Sequence, residues 1–539
     1  MALSGNRRAT RPAVSLPSAR LQVVGRMLPI GIQTFRDLRK EGRHYVDKTG
    51  YVRDLVESGS RYFLSRPRRF GKSLLVSTLK SLFACERDLF EGLVIEPHWN
   101  WSQPRPVVHL DLSGADLHEP VRLRRSIFAQ LRSHERRSDV VLEAQDASER
   151  LAELLEALHE RTGRRVVVLV DEYDKPILDM LEDPEIARAN RNYLRGLYAV
   201  IKRCDEHVGF CFLTGVSKFS KVSLFSGLNN LEDITLAPRF SSICGYTESD
   251  LDTVFAAELE GLDRERLREW YNGYSWGGDE RVYNPFDVLL LLKQRQFRNW
   301  WCETGNSTFL VNLLLEKGIP WYCLDDMVRS EELLSQFDVG AIAPEALLFQ
   351  AGYLTVLERL EIADSPRYRL GYPNREVRQS LNRDLLSGVL GAGKEGEQES
   401  QAARLREVLA TGDLTGLEAE LRALLAGVPH QWHSKNPMGS YEGWYASLLQ
   451  AYFVAAEAEV RAEESSSQGR ADLIVRGFGR VYVFECKMRE RAGAKAALRQ
   501  LKERGYADRY LGRGEPVHLV GLEFSAATHN LTGFETEPA

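Results

Sequence analysis

Residues 62–83, YFLSRPRRFGKSLLVSTLKSLF, decide the fold of the N-terminal half of this chain. A short apolar run predicts a buried strand, which ends in a basic loop containing Gly-Lys-Ser and continues as a helical pattern. This order of strand, loop and helix is the setting of a Walker A loop, whose backbone N–H groups at the helix start cradle phosphates. The stretch therefore predicts a site for ATP.

Each position of this loop has an expected role. Lys72 is placed to reach the β- and γ-phosphates, and the Ser73 hydroxyl is placed to bind Mg²⁺. The remaining expected nucleotide contacts come from the loop and the first helical turn: Arg66, Phe70, Gly71 and Leu74. Arg66 stands where the first glycine of the motif is usual, and Arg68 and Arg69 add positive charge. The alternative is a basic strand-to-helix turn without a ligand.

A second motif, VVVLVDE at residues 166–172, follows about 100 residues later. The buried strand predicted here delivers Asp171 to the Mg²⁺ side of the sheet, and Glu172 is placed to polarise an attacking water. Without a ligand, the same residues would form a strand ending in an acidic turn. Thr214 and Ser217 follow the next apolar run and either sense the γ-phosphate or are ordinary turn residues. An adjacent Glu with strands between the motifs indicates the additional-strand class of P-loop ATPases, which includes AAA+ proteins.

The spacing of apolar runs predicts the architecture. Short buried strands separated by amphipathic helical stretches indicate a parallel sheet with helices on both faces; the runs are Tyr62–Leu64, Val107–Leu112, Val166–Val170 and Gly209–Leu213. We expect this α/β domain over residues 28–245, a mostly helical lid or connector over 246–395, and a C-terminal domain over 400–539. The polar run at 391–400 is the expected linker.

The first 27 residues are basic and contain no acidic residue before Met27. Three explanations are open: an organellar presequence, a disordered basic tail, or translation that starts at Met27. We favour the last, and expect deletion of residues 1–26 to leave folding and ATPase activity intact.

The C-terminal domain contains a predicted hairpin, ADLIVR at 471–476 followed by RVYVFECK at 480–487. Side chains alternate along a strand, so Glu485 and Lys487 share one face, opposite Asp472. Two carboxylates and a backbone carbonyl suit Mg²⁺ or Mn²⁺, and Lys487 would stabilise charge that develops on a phosphodiester. Glu442, on the preceding helical stretch, is a further candidate ligand. The alternative is an edge hairpin with solvated charges.

Composition limits the class of protein. The chain has 539 residues, a formal net charge of −5 and seven single cysteines without a CxxC pair. A disulfide framework and a globally basic nucleic-acid-binding surface are therefore not expected. No apolar run is long enough to cross a bilayer, so we expect no membrane association and a cytoplasmic location. A homo-oligomer is one state that the sequence allows.

Stretches along nearly the whole chain from Leu28 to about Ser525 resemble a bacterial and archaeal family, the AAA-ATPase-like proteins with a C-terminal domain of the PD-(D/E)XK nuclease superfamily. They include LPIGIQTFRDLR, YVDKTGYV, SRPRRFGKSLLVSTL, LVDEYDKPI, LTGVSKFSKVSLFSGLNNL, YNGYSWGG, VYNPF, LLFQAGYLTV, LGYPNREVR, GRADLIV, VFECK and ALRQLKERGYA. The resemblance implies an AAA+-type ATPase fold and a PD-(D/E)XK nuclease-like α/β fold joined by a helical region. It also implies that Arg66 belongs to the pattern of the family, and it supports Met27 as the start.

Three functions agree with these motifs. The first is an ATPase whose nucleotide state regulates cleavage or binding of DNA or RNA by a metal-dependent nuclease domain. The second is a signalling or scaffold ATPase with a catalytically silent nuclease-like domain. The third is an AAA+-like ATPase that remodels proteins. The presence of Asp472, Glu485 and Lys487 together favours the first.

Overall fold

The computed structural model describes residues 26–539 with several gaps. The residues outside the description are 1–25, 115–118, 219–223, 225–227, 302–307, 335–338, 340–341, 363–364, 392, 394, 430–441 and 467–468. The expectations for the N-terminal tail therefore lie almost wholly outside the described residues.

A five-stranded parallel sheet forms the N-terminal half. Its strands are β1 (Arg61–Ser65), β2 (Val107–Asp111), β3 (Val166–Asp171), β4 (Val208–Gly215) and β5 (Glu232–Asp233), in the spatial order β2-β3-β4-β1-β5. All six residues of β3 are buried, because helices cover both faces of a parallel sheet. The predicted parallel α/β sheet is confirmed.

Seven helices of the described residues precede or separate these strands. They are Phe35–Lys40, Thr49–Ser58, Lys72–Phe83, Pro120–Ser138, Ala147–Thr162, Lys175–Leu178 and Pro184–Arg203. Local capping fixes two of the starts: the Asp146 carboxylate accepts from the backbone N–H groups of Ser148 and Glu149, and Asp183 accepts from those of Glu185 and Ile186.

The middle region is mostly helical, with helices Glu248–Val254, Ala256–Leu259, Arg264–Tyr271, Pro285–Gln294, Thr308–Lys317, Glu331–Leu334, Pro344–Ala351 and Arg375–Leu390. It also contains an antiparallel sheet that was not predicted, formed by β6 (Met327–Ser330), β7 (Thr355–Ile362) and β8 (Ser365–Gly371) in the order β6-β8-β7. The mostly helical connector expected over 246–395 is present, and it contains this additional sheet. Four of the eight residues of β7 are exposed, and the strand lacks the apolar alternation by which a strand is recognised.

Asn residues of the middle-region motifs cap helices. Asn284 of VYNPF accepts from the Phe286 N–H at the start of Pro285–Gln294, and Asn374 of LGYPN accepts from the Val377 N–H. Thr247 and Asp250 form a capping box at the start of helix Glu248–Val254. These asparagines therefore have local structural roles.

The C-terminal part contains helices Glu395–Thr411, Leu414–Ala426, Glu442–Ala455 and Ala494–Glu503. Its five strands are β9 (Glu459–Ser466), β10 (Gly469–Gly477), β11 (Arg480–Met488), β12 (Val517–Ser525) and β13 (Asn530–Pro538), in the order β13-β12-β11-β10-β9. Strands β11 and β12 are parallel, and the other pairs are antiparallel. The predicted linker at 391–400 is wrong for most of its length, because a helix begins at Glu395.

One contiguous apolar core joins these parts. It includes Val168 of β3, Leu385 of helix Arg375–Leu390, Phe453 of helix Glu442–Ala455 and Phe484 of β11. A second, smaller cluster covers the other face of the C-terminal sheet. Within the described ranges, no helix has the length and apolar character needed to cross a membrane.

Candidate functional site

The loop between β1 and helix Lys72–Phe83 turns sharply before the helix begins. Arg69 and Gly71 both have positive φ, 69° and 91° respectively. Gly71 is the residue immediately before the helix, and glycine adopts this left-handed backbone conformation without a steric penalty. The turn directs the first backbone N–H groups of the helix into the loop, as a phosphate site requires.

Lys72 is enclosed by its own loop. Its ammonium donates to the backbone carbonyls of Arg66 and Pro67, at 3.0 Å each, and only 4% of the residue is exposed. Burial lowers the pKa of Lys72, while Glu172 and Asp171 act in the opposite direction. The loop thus holds a cation close to the carboxylates at the end of β3.

Asp171 and Glu172 lie where the sequence predicted, at the carboxyl edge of the sheet. The Asp171 carboxylate accepts from the Thr214 hydroxyl at 2.6 Å across the neighbouring strands β3 and β4. Burial raises the pKa of Glu172, and Lys72 opposes that rise. Glu172 also has a positive φ of 50°, a conformation that costs free energy for a non-glycine residue. The structure thus brings Lys72, Asp171 and Glu172 together.

A third carboxylate, Asp174, was not assigned to the site by sequence reasoning. It is almost fully buried and accepts from the Ser217 N–H and hydroxyl at 2.5 and 2.6 Å, and from the Val216 N–H. Its position three residues after Asp171 in LVDEYD was the available signal. The side chains of Thr214 and Ser217 are therefore both bonded to carboxylates, and their contact with a γ-phosphate stays a prediction.

Arg66 supports the loop from the protein interior. Its guanidinium donates to the backbone carbonyls of Thr235 and Phe240 at 3.0 Å and lies 4.1 Å from the centre of the Trp276 ring. Burial lowers the pKa of Arg66 to about 10. Phe70 likewise packs against the ring of Trp276. The structure places both side chains in packing positions, whereas the sequence analysis assigned them to nucleotide contacts.

A cavity of about 430 Å³ opens beside the loop. Its lining includes Phe70, Gly71, Lys72, Ser73, Leu74 and Glu172, so it joins most of the predicted nucleotide residues in one space. Residues of the segment 29–48 and Phe286 of the middle region complete the wall. This volume lies within the range of small-molecule sites, roughly 300–1,000 Å³.

The second candidate site lies on β10 and β11. Leu473 pairs with Phe484, so Asp472 and Glu485 lie at the next position across the two strands. Phe484 and Cys486 face the large core, which leaves Glu485 and Lys487 on the opposite face of the sheet. Helix Ala494–Glu503 packs on that face.

A network of hydrogen bonds surrounds the Glu485 carboxylate. Its Oε1 accepts from Lys487 Nζ at 2.7 Å and from Gln500 Nε2 at 2.5 Å. Asp472 accepts from the Cys486 N–H at 2.7 Å, and Glu442 accepts from the Met488 N–H at 3.2 Å. Both acceptors are thereby tied to the backbone of β11 beside Glu485.

Charge repulsion is concentrated on Glu485. Burial, and after it repulsion from Asp472, raise the pKa of Glu485 to about 7 against the opposing effect of Lys487. Burial acts to lower the pKa of Lys487, but Glu485, Asp472 and Glu442 raise it by more, so that its pKa is above the ordinary value. Two carboxylates this close favour a bound cation.

The residues present fit a divalent metal. Glu485 Oε2 is buried and has no hydrogen-bond partner among the described residues, so it is available as a ligand. Asp472 and Glu485 supply carboxylate oxygen atoms, which are the ligands that Mg²⁺ prefers. Within the described ranges, no group of three or more His, Cys, Asp or Glu side chains has the arrangement of a metal site. The fit therefore rests on two carboxylates, with Glu442 beside them.

Family models match both halves of the chain. One, described as a predicted AAA-ATPase, matches residues 29–225. The other, described as the PD-(D/E)XK nuclease superfamily, matches residues 440–533. The two matches contain the nucleotide loop and the carboxylate cluster respectively.

Two individual proteins are similar to the chain. A protein of Azotobacter chroococcum mcd 1, named "Uncharacterized protein in vnfD 5'region", is 50% identical over 511 residues, which cover 95% of this chain and 98% of that protein. The second match is to a chain in the structure of Drosophila ORC bound to GC-rich DNA and Cdc6. It covers 85% of this chain and 70% of the matched chain, with 11% sequence identity and a TM-score of 0.22. A TM-score this low supports no conclusion about the fold or the function of this chain. By the two domain matches and the relative of nearly equal length, the chain belongs to the AAA-ATPase-like family with a C-terminal PD-(D/E)XK nuclease superfamily domain.

Proposed function

We propose that the protein binds and hydrolyses ATP, and that its nucleotide state regulates cleavage of DNA or RNA by a metal-dependent C-terminal domain. The observation that carries the proposal is the cluster on β11, where Glu485 is buried against Asp472 and bonded to Lys487 and Gln500. Repulsion between buried carboxylates costs stability, so such a cluster is better explained by catalysis than by folding.

At the nucleotide site, Lys72 would exchange its two carbonyl partners for the β- and γ-phosphates. Ser73 and Asp171 would hold Mg²⁺, and Thr214 orients Asp171 through its hydroxyl. Glu172 lines the cavity next to Lys72, where a raised pKa favours its acting as the base for an attacking water.

At the C-terminal site, Asp472 and Glu485 would hold Mg²⁺ or Mn²⁺, with Glu442 as an additional ligand. A metal bound there supplies a water of lowered pKa and polarises the phosphodiester. Gln500 fixes the orientation of Glu485, and Lys487 places a positive charge next to it for the charge that develops on phosphate.

Coupling between the two sites is supported by the packing of the connector. Helix Arg375–Leu390 packs against helix Glu442–Ala455, whose first residue is the candidate ligand Glu442. On its other side, Glu376 of the first helix accepts from the backbone N–H groups of Trp300 and Trp301. Trp301 lies near the loop, since its ring contacts that of Tyr274, which packs on Phe70. A displacement of the loop on nucleotide binding thus has a packed route to the second site.

The test is a cleavage screen with the full-length protein. Plasmid, single-stranded DNA and RNA are each incubated with Mg²⁺ or Mn²⁺, with and without ATP, and with a chelator as the control. We expect cleavage of at least one substrate that needs a divalent metal and changes with ATP. Failure to cleave any of them, together with no divalent metal binding by calorimetry, would favour the scaffold ATPase with a silent domain.

A further inference from the structure

Four arginines converge at the open edge of the C-terminal sheet. Arg461, Arg476, Arg509 and Arg513 line a small cleft of about 90 Å³ together with Glu459, Ile474 and Tyr510. We call these four arginines the arginine patch. The nucleotide site and the carboxylate cluster account for none of them.

Two different parts of the chain build this patch. Arg461 lies on the edge strand β9 directly opposite Ile474 of β10, and Arg476 lies two residues further along β10. Arg509 and Arg513 come from the segment that follows helix Ala494–Glu503, and both are exposed. The convergence of arginines from strands and loop is therefore a product of the fold.

The patch has a positive excess. Glu459 pairs with Arg461 at 2.8 Å, and Glu515 pairs with Arg476 at 2.9 Å. The cleft itself is lined by four arginines and one glutamate, so positive side chains predominate in it. Exposed ion pairs of this kind stabilise a fold weakly, by about 0–1 kcal/mol, so the patch is not explained by stability.

The arginine patch lies on the same face of the sheet as the carboxylate cluster. Asp472, Ile474 and Arg476 alternate along β10 and so point to one side. Ile474 packs with Val481 and Val483 on the face that also bears Glu485. Asp472 and Arg476 are four residues apart, a distance of about 13 Å along the strand.

We propose that the arginine patch binds the phosphodiester backbone of the nucleic-acid strand that the carboxylate cluster cleaves, an inference that rests on the proposed function. Guanidinium groups bind phosphates with two parallel hydrogen bonds, which suits a row of arginines leading away from the cluster. The cleft is far smaller than the roughly 300 Å³ of a small-molecule site, so it does not enclose a base. The contacts position the strand and carry no sequence preference.

The test compares nucleic-acid binding by two charge-matched double variants of the full chain. Arg509→Gln with Arg513→Gln removes two exposed arginines of the patch. Arg132→Gln with Arg136→Gln removes two exposed arginines from helix Pro120–Ser138 of the other domain. Labelled single-stranded DNA, duplex DNA and RNA are titrated at several salt concentrations, with a chelator present to prevent cleavage.

We expect the control variant to bind like the wild type. The patch variant should bind more weakly than the wild type, whatever the nucleotide sequence of the labelled strand. The slope of its log affinity against log salt concentration should be smaller in magnitude by about 1 for each lost phosphate contact. The relative affinities of the three nucleic acids identify the form that the patch accepts. Polyglutamate, an acidic polypeptide, should displace the labelled strand poorly.

Three results would overturn the proposal: equal binding by the wild type and the patch variant, no binding by the wild type, or displacement by polyglutamate as effective as by unlabelled nucleic acid. If the wild type cleaves nucleic acid and the patch variant binds it as tightly as the wild type does, the role of the arginine patch is rejected and the nuclease proposal stands. Weaker binding by the patch variant without cleavage by the wild type would support the patch and reject the nuclease.

Discussion

At the scale of single residues, the enclosure of Lys72 gives the nucleotide site its character. The ammonium has two backbone carbonyls as partners and carboxylates nearby, so a buried charge is already stabilised before any ligand arrives. Incoming phosphates would replace the carbonyls without moving the cation into water.

Lys72→Ala should abolish tight ATP binding, because Lys72 stands at the helix start, whereas the other lysine that lines the cavity, Lys48, is paired with Asp250. Lys80→Ala, an exposed lysine on the same helix, is the matched control and should bind ATP normally. A fluorescent ATP titration measures both. Unchanged affinity in the Lys72 variant would contradict the assignment of this loop.

Glu172→Gln should retain ATP binding and lose hydrolysis. The amide keeps the size of the side chain but cannot accept a proton from water, a loss of about 10²–10⁴-fold in turnover. Phosphate release under saturating ATP measures the effect. Turnover close to that of the wild type would move the role to another carboxylate, and Asp174, which accepts a hydrogen bond from Ser217, is the first candidate.

Single residues also show the limits of sequence reasoning. The roles of Lys72 and Glu172 follow from local motifs, and the structure brings the two residues together. The position of Arg66 does not follow, since its carbonyl partners Thr235 and Phe240 lie about 170 residues away in the chain. A side chain bound to distant backbone leaves no local pattern.

At the scale of elements, a buried pair of acids joins two helices of the middle region. Asp287, near the start of helix Pro285–Gln294, lies beside Glu376 of helix Arg375–Leu390. Burial is the main cause that raises the pKa of Asp287 to about 7. The pKa of Glu376 is also raised, mainly by burial and to a lesser extent by repulsion from Asp287. Two carboxyls share a hydrogen bond only while one of them is protonated.

The free energy of unfolding should therefore fall as pH rises from about 4 to about 7. Unfolded Asp has a pKa of about 4, so the folded state holds more protons between about pH 4 and pH 7, and the contribution of Asp287 is lost as pH rises through about 7. Asp287→Asn should remove this loss and be more stable than the wild type at alkaline pH. Thermal unfolding of both proteins across the pH range measures it, and parallel profiles would contradict the account.

Elements differ in how well the sequence predicted them. Strand β3 and the hairpin β10–β11 were recognised because continuous apolar runs end in charged residues. Strands β6, β7 and β8 were missed because their exposed positions carry charges without strict alternation. The start of helix Glu395–Thr411 was assigned to the linker because its sequence is rich in Gly and Glu.

At the scale of the whole molecule, one apolar core runs from the ATPase sheet through the connector to the C-terminal sheet. The sequence predicted two chemically distinct halves but not their continuity, because the contacts between helices Arg375–Leu390 and Glu442–Ala455 depend on packing. Shared packing is the physical basis for the proposed coupling of the two sites, since a packed core transmits displacement.

The measurement that tests the central claim most directly is cleavage by three proteins in one assay, with ATP hydrolysis followed in parallel. The account predicts that Lys487→Ala eliminates cleavage while ATP hydrolysis is largely retained, and that Lys72→Ala makes any residual cleavage independent of ATP. Cleavage by the Lys487 variant at the rate of the wild type would contradict the claim.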